Sequence, residues 1–408
     1  MIERIDSKIF SHTLTKRELS IHYQPIVSVK NKRIIGVEAL TRAYYNNEFI
    51  SPEALFSYAV EVSEGHILDD LCRREAVSQI RELETECLVF INCEANYIDY
   101  YIEHSEGFIG YLKNLNINSG HIVIEINEKK SKSIEHIQAF IDIFRANGFL
   151  IALDDVGAGH SNLNRIAAAR PDIVKIDRQT ISNIDSDFYK QETVRAIVNL
   201  ANRIGAITIA EGVETSEETV ACLQLGIDIY QGFYFSKAVP TKELGMIQIS
   251  TQLRSISNQY KEKSVCLLIE KLNKKNQYKS ALNKLISMLL EDDCDNFDCV
   301  LQNFLDTNPN VECAYILNIE GCQVTDTVIK KCISTRCSLL FSPGKRNDCH
   351  DLKSYYYSAI EIEPEIFTTH KYISIATGSL CVTNSMVFSH QNGKKYIACV
   401  DYFVEENE

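Results

Sequence analysis

Eight positions carry acid, amide or ammonium groups that could act together: Glu38, Asn92, Glu125, the adjacent pair Asp154-Asp155, Lys175, Glu211 and Gln231. Hard oxygen donors gathered in one cleft suit Mg²⁺ or Mn²⁺. Two such ions about 3.5–4 Å apart can clamp an in-line phosphoryl displacement, activating water and stabilising the leaving oxygen. A lysine beside them can hold the nucleophile or neutralise developing charge. Taken singly, Glu38 or Asp155 reads as a solvated or paired carboxylate. The ordered set points to an active site.

The elements that carry these residues read as strands alternating with helices, the pattern of an α/β fold. Strands are expected near 21–29, 34–41, 87–93, 122–126, 150–154, 173–176, 206–210 and 229–235, with helices such as 52–81, 134–147, 192–203 and 217–225 between them. Eight strands over this length suggest a closed β/α barrel, whose active sites form where the C-terminal strand ends converge. The candidate residues fall at or near those ends. The link at Asn31-Lys32 is too short for a crossover helix, so the first two strands should run antiparallel. Asp154 and Asp155 would point to opposite faces of a regular strand. Both can reach one site only where the strand ends, and Gly157 and Gly159 permit irregular backbone there.

At about 100–200 residues per domain, 408 residues suggest two domains. Residues 1–245 form the expected barrel domain, 246–295 one or two connecting helices, and 296–408 a smaller α+β domain. Its strand-like segments are 314–319, 371–374, 379–383 and 395–400. Apolar residues make up 45% and charged residues 24%, as in soluble globular proteins. No apolar run approaches the roughly 20 residues of a membrane span. The first ten residues do not resemble a signal peptide, so a cytoplasmic location is expected. A net charge of −13 argues against a DNA, RNA or anionic-membrane binder. Metal ions and local cations could still admit a nucleotide to an acidic cleft. The 14 cysteines contain no CxxC pair and read as reduced thiols, ten of them at or after Cys266. Cys332, Cys337, Cys349 and His350 do not assemble into a standard zinc site.

Tyr23-Gln-Pro-Ile26, Glu38-Ala-Leu-Thr-Arg42, Asn92, Glu125-Ile-Asn-Glu128, Asp154-Asp-Val-Gly-Ala-Gly-His-Ser161, Lys175-Ile-Asp177, Glu211-Gly-Val-Glu214 and Gln231-Gly-Phe233 together resemble the signature of EAL-domain proteins. The resemblance covers about residues 15–245. It implies a modified TIM-type (β/α)8 barrel that hydrolyses cyclic-di-GMP to linear pGpG with two divalent cations, Mg²⁺ or Mn²⁺. By that resemblance Glu38, Asn92, Glu125 and Asp154 hold the first metal, and Asp154 and Asp155 share the second. Lys175 contacts the nucleophilic water and Glu211 is the general base. Gln24, Leu40 and Arg42 contact substrate, while Gln231 lies with them and steadies a metal-bound water. Glu128 and Glu214 anchor loops. A homodimer is expected. Val156, Ala158, His160 and Asn162 depart from the family loop, as does Asn127 after Glu125. Those departures leave open a second reading, a weakly active or inactive cyclic-di-GMP receptor that signals to a partner. The segments at 351–357, 372–378 and 381–383 more loosely resemble PAS- or Cache-type sensor domains, which would bind a small molecule or protein and tune the enzyme. A structural dimerisation domain with no ligand is the plain alternative.

Overall fold

The structure is a computed structural model. It describes the chain apart from residues 1, 17–18, 81–86, 128–133, 159–165, 168, 292–296, 331–339, 363–364 and 405–408. The chain forms two compact units, Met1–Ser264 and Val265–Glu408.

In the first unit the strands are β1 (Leu19–Ser28), β2 (Arg33–Tyr45), β3 (Glu48–Ile50), β4 (Leu88–Cys93), β5 (Ile122–Asn127), β6 (Leu150–Val156), β7 (Ile173–Ile176), β8 (Ile207–Ala210), β9 (Ile229–Tyr230) and β10 (Val239–Pro240). Strands β2, β4, β5, β6, β7, β8 and β9 pair in parallel in that order. Strand β1 closes the ring by pairing antiparallel with both β2 and β9. The tight turn after Ser28 makes this obligatory, since no crossover helix fits there. The result is a closed eight-stranded barrel with one antiparallel strand. Short β3 and β10 extend β2 and β1 outside the ring.

The two-residue period of a strand explains what fills the barrel. Ile26, Phe90, Val123, Ala152, Ile173, Ile209 and Ile229 form one buried apolar cluster. Alternate residues, such as Ile122, Ile124 and Ile126 on β5, join a larger core with the surrounding helices. The residue two places beyond each plug residue therefore faces the same interior. Those residues are Asn92, Glu125, Asp154, Lys175, Glu211 and Gln231, with Gln24 two places before Ile26 on the reversed strand. Glu38 is opposite Gln24 in the β1–β2 register.

Several elements differ from expectation. The helix expected over 52–81 is two helices, Pro52–Glu61 and Gly65–Ile80, parted at Ser63, whose φ is +62°. The last barrel strand stops at Tyr230 rather than running to Phe235. A Cβ on Gly232 would lie 2.1 Å from the Val213 carbonyl oxygen, so another chain segment crosses there and β9 turns away. The region after the barrel holds one helix of 41 residues, Ser250–Leu290. Its Leu253 and Ile256 belong to the first unit's core, and its Leu282, Leu285 and Leu289 to the second's.

The second unit holds β11 (Val311–Asn318), β12 (Val328–Ile329), β13 (Phe367–Thr368), β14 (Tyr372–Ile373), β15 (Leu380–Ser389) and β16 (Lys395–Phe403). All pair antiparallel, in the order β12-β11-β16-β15-β13 with β14 also on β15. Strand β15 runs six residues past its expected end at Thr383. The polar residues there suggested a turn, yet Asn384 and Ser385 are buried. Ser385 Oγ donates to the Tyr355 carbonyl at 2.6 Å, and Asn384 Oδ1 accepts from Thr368 Oγ1 at 2.5 Å. No helix among the described residues is long and apolar enough to cross a membrane.

The crossing at Gly232 yields a prediction. Gly232→Ala should destabilise the barrel by about 1–3 kcal/mol, the usual cost of an overpacked methyl. Chemical denaturation measures it, and unchanged stability would mean that the Val213 segment does not abut Gly232.

Candidate active site

Lys175 is at the centre of the barrel mouth, 1% exposed. Its ammonium lies 2.5 Å from Glu125 Oε1, 2.7 Å from Glu211 Oε1, 3.3 Å from Asp154 Oδ1 and 3.7 Å from Glu38 Oε2. Asp155 and Glu211 each offer an oxygen within 4.8 Å of one on Asp154 and of each other. Four carboxylates thus surround one ammonium, and a fifth, Asp155, lies beside two of them.

The adjacent aspartates reach one site by a device that the sequence reading placed differently. Strand β6 does not end at Asp154. It carries a bulge between Leu153 and Val156, after which Val156 pairs with Ile176. Asp155 takes a left-handed backbone conformation, φ +58°, and Gly157 follows at +98°. A bulge sets two residues opposite one and re-aims a side chain. Asn127 Nδ2 donates to Asp155 Oδ2 at 2.6 Å and fixes it. Asn127, noted in the sequence only as a departure, therefore positions a carboxylate.

Amide groups hold the other side. Asn92 Nδ2 donates to Glu38 Oε1 at 3.0 Å. Gln231 Nε2 donates to Glu38 Oε2 at 2.5 Å and reaches Gln24 Oε1 at 3.2 Å, stitching β9 to β1 and β2. Gln24 in turn donates to the Ser236 carbonyl. Buried Glu218 caps its own helix with Thr215 and accepts from the backbone of Glu214 and Asn183, holding the loop after Glu211. Glu214 pairs with Arg178 at 2.6 Å, both partly exposed. Arg178, which the sequence reading did not single out, lines the same cavity as Glu38, Leu40, Glu211 and Gln231. A neighbouring cavity shares Leu40 and adds Arg42, Phe56, Asn92 and Asn127. Glu128, His160 and Asn162 lie outside the described residues, as do Cys332 and Cys337. Tyr101 and Phe108 are both 3% exposed in the core, where Tyr101 donates to Asp69 and faces the Arg73 guanidinium.

The electrostatics follow from burial against one shared cation. Burial drives the Glu125, Asp154 and Glu211 carboxyls up, and neighbouring carboxylates add to the shift. Burial also raises Glu38, but Lys175 and the Gln231 and Asn92 amides outweigh it and hold that group below its ordinary value. Burial would lower Lys175, yet Asp154, Glu125, Glu211 and Glu38 raise it far above its usual range, so it stays charged. Glu125 Oε2 has no hydrogen-bond donor among the described residues, nor has Gln231 Oε1. A cluster short of positive charge, made of hard oxygen donors with orphaned buried oxygens, fits divalent cations.

The match to known proteins settles the family. A family model described as "EAL domain" matches residues 7–238. The chain belongs to the EAL-domain family. Its second unit extends a likeness beyond that domain. The "Uncharacterized EAL-domain containing protein YkuI" of Bacillus subtilis is 26% identical over 318 residues, 76% of this chain and 77% of YkuI. The crystal structure of YkuI, in complex with c-di-GMP and calcium, superposes with a TM-score of 0.79 over 98% of this chain and 100% of that one, at 22% identity. That likeness shows a shared fold. The "Probable cyclic di-GMP phosphodiesterase PdeB" of Escherichia coli is 29% identical over 238 residues, 56% of this chain. The chain spans 44% of PdeB's length. BlrP1 of Klebsiella pneumoniae, solved as a manganese/cy-diGMP complex, matches with a TM-score of 0.51 at 25% identity over 55% of this chain and 57% of that one.

A divalent cation should stabilise this EAL barrel measurably. At about 100 times its dissociation constant, a ligand that binds only the folded state adds about 2.7 kcal/mol. Mn²⁺ should raise the melting temperature of the wild type and raise that of Asp154→Asn far less. An equal rise in both would place the ion elsewhere.

Proposed function

We propose that the chain hydrolyses cyclic-di-GMP to linear pGpG with two divalent cations, Mg²⁺ or Mn²⁺. Glu38, Asn92, Glu125 and Asp154 would hold the first, and Asp154 and Asp155 the second. The observation that carries this reading is the cluster of five carboxylates, four of them around Lys175, at the barrel mouth of a family with relatives named for this reaction. Bound cations would polarise the scissile phosphate and make water a better nucleophile.

The chain's own residues do the rest. Arg42 grips phosphate or a guanine edge with its planar fork, beside Leu40 and Gln24, so the dinucleotide spans the two cavities that share Leu40. Glu211, as general base, takes a proton from the attacking water while that oxygen bonds to phosphorus. The bond from phosphorus to the leaving 3′-oxygen breaks, that oxygen takes a proton from solvent water, and Glu211 returns its own proton to solvent. Lys175 orients the attacking water and keeps Glu211 in place through its 2.7 Å contact. Gln231 steadies water at the metal site while bridging Glu38 and Gln24. Glu214 and Glu128 anchor the flanking loops.

In this reading residues 1–245 are the phosphodiesterase, 246–295 connect, and 296–408 form a PAS- or Cache-like domain that tunes turnover in the cytoplasm. The working unit is a homodimer. Val265, Leu268, Ile269 and Leu272 are exposed on the long helix at i, i+3, i+4 and i+7, the spacing of a seam between paired helices.

Chromatography of the products tests the reaction. Purified chain with Mn²⁺ should release pGpG, and Glu38→Ala should lose turnover by at least about a hundredfold, since removing even a residue that only supports a metal ligand costs about 10–100-fold. Lys175→Ala should lose far more turnover than binding. Tight binding without pGpG from the wild type would overturn hydrolysis and favour a receptor. Light scattering of the same sample should give the mass of two chains, and a monomer would remove the seam.

A further inference from the structure

The six-stranded sheet of the second unit has two unlike faces. One is apolar and packs on the long helix and on Phe297–Thr307. The other carries Cys313, Asp401 and Thr383 side by side in one row, with Tyr315, Cys399 and Ser385 in the next. The helix Ser354–Glu361 packs on this face through Tyr355 and Ala359. A cavity of about 380 Å³ lies at this face, walled by Tyr315, Tyr355, Tyr372, His350 and Ser374 and lined by Asp401.

Asp401 is 2% exposed. Its Oδ2 accepts from the Cys313 thiol at 3.3 Å, and Thr383 beside it also hydrogen-bonds to the carboxyl, so its partners among the described residues are neutral. No lysine or arginine among the described residues pairs with it, and an ionised carboxylate buried without a partner is strongly unfavourable. Burial pushes its carboxyl up to about 6, so it is still mostly ionised near neutral pH. Glu312, at a bulge in β11, is also buried and accepts from the Thr377 hydroxyl. Burial and the charge of Asp401 push it up to about 8, so it stays protonated and leaves Asp401 as the negative group.

Several other polar groups of the cavity are occupied. Gln323 Nε2 donates to Thr327 Oγ1, which turns its carbonyl oxygen toward His350 Nε2 at 3.0 Å. His350 Nε2 therefore donates, and its Nδ1 accepts from the Tyr355 hydroxyl at 2.7 Å. Burial and Lys353 lower His350, so it is neutral. The Tyr372 hydroxyl pairs with Thr383 at 2.5 Å. Asp348 and Lys353 at the exposed rim are opposite in charge. Among the described residues no cation pairs with Asp401, and Lys353, which also lines the cavity, lies exposed at its rim. What the cavity offers besides is aromatic surface, which attracts cations.

We propose that this cavity binds a small organic amine, its ammonium on Asp401 Oδ1 and its carbon skeleton against Tyr315, Tyr355 and Tyr372. A neutral ligand would leave Asp401 uncompensated, and an anion would be repelled. A bare metal ion fits poorly, because the one ligand set of metal-binding geometry among the described residues is Asp154, Asp155 and Glu211. That the amine then alters turnover rests on the sensory reading above, but its binding does not.

Isothermal titration of the full chain, without cyclic-di-GMP, tests binding. The probes are phenethylamine, isoamylamine and putrescine, with 2-phenylethanol and isoamyl alcohol as neutral counterparts. At least one amine should bind about tenfold or more tightly than the alcohols, and Asp401→Asn should weaken it at least about tenfold, as loss of a buried charge partner does. Without ligand, Asp401→Asn should melt no lower than the wild type, because it removes an unpaired charge. Tyr372→Leu should weaken the same amine, and Glu38→Ala should bind it as the wild type does. The proposal falls if no amine binds at about 10 mM, the weak limit of specific recognition. It falls equally if the alcohols bind as well, or if Asp401→Asn is unaffected. Neither result touches the hydrolysis reading, since no nucleotide is present.

Discussion

Lys175 carries the one positive charge among five buried or half-buried carboxylates, and the barrel is arranged to keep that imbalance in place. Carboxylates this close repel one another, and burial makes the repulsion costly. An apolar core cannot hold such a cluster unless each group is fixed by a neighbour. The supporting contacts are of that kind: Asn92 and Gln231 on Glu38, Asn127 on Asp155, and Glu218 on the loop that carries Glu211 and Glu214. The remaining deficit of positive charge is what divalent cations and a phosphodiester can use.

The apolar plug and the polar ring are one feature seen at two heights. Seven of the eight ring strands contribute an aliphatic or aromatic residue to the plug and, two residues nearer the mouth, a polar residue, while β2 supplies Glu38 with Gly36 two places before it. Two places break the regularity. The bulge in β6 brings Asp155 to the same side as Asp154. The turn at Gly232 ends β9 early, so Gln231 projects into the mouth where the chain leaves the barrel.

This explains how much could be read from the residues. Strand-end position made legible which polar residues gather at the mouth, alternating strands and helices the closed barrel, and the short link at Asn31-Lys32 the antiparallel first strand. The bulge was not, because alternation alone predicts that Asp154 and Asp155 diverge, and only their proximity to glycines hinted at irregular backbone. Asn127 gave no signal as a support, since its partner is on the next strand. The far half of β15 was hidden because Asn384 and Ser385 are polar yet buried, each matched by a partner distant in sequence. The second unit repeats the theme in miniature. Asp401 and Glu312 are again buried acids, but among the described residues no lysine pairs with either.

The central claim is that the charge deficit around Lys175 is filled by divalent cations on named oxygens. The most direct measurement is anomalous diffraction at the manganese edge from crystals grown with Mn²⁺ and cyclic-di-GMP. The account predicts anomalous peaks among Glu38, Glu125, Asp154 and Asp155, with a phosphate of the dinucleotide beside them. A bound dinucleotide with no anomalous density at those carboxylates would contradict it.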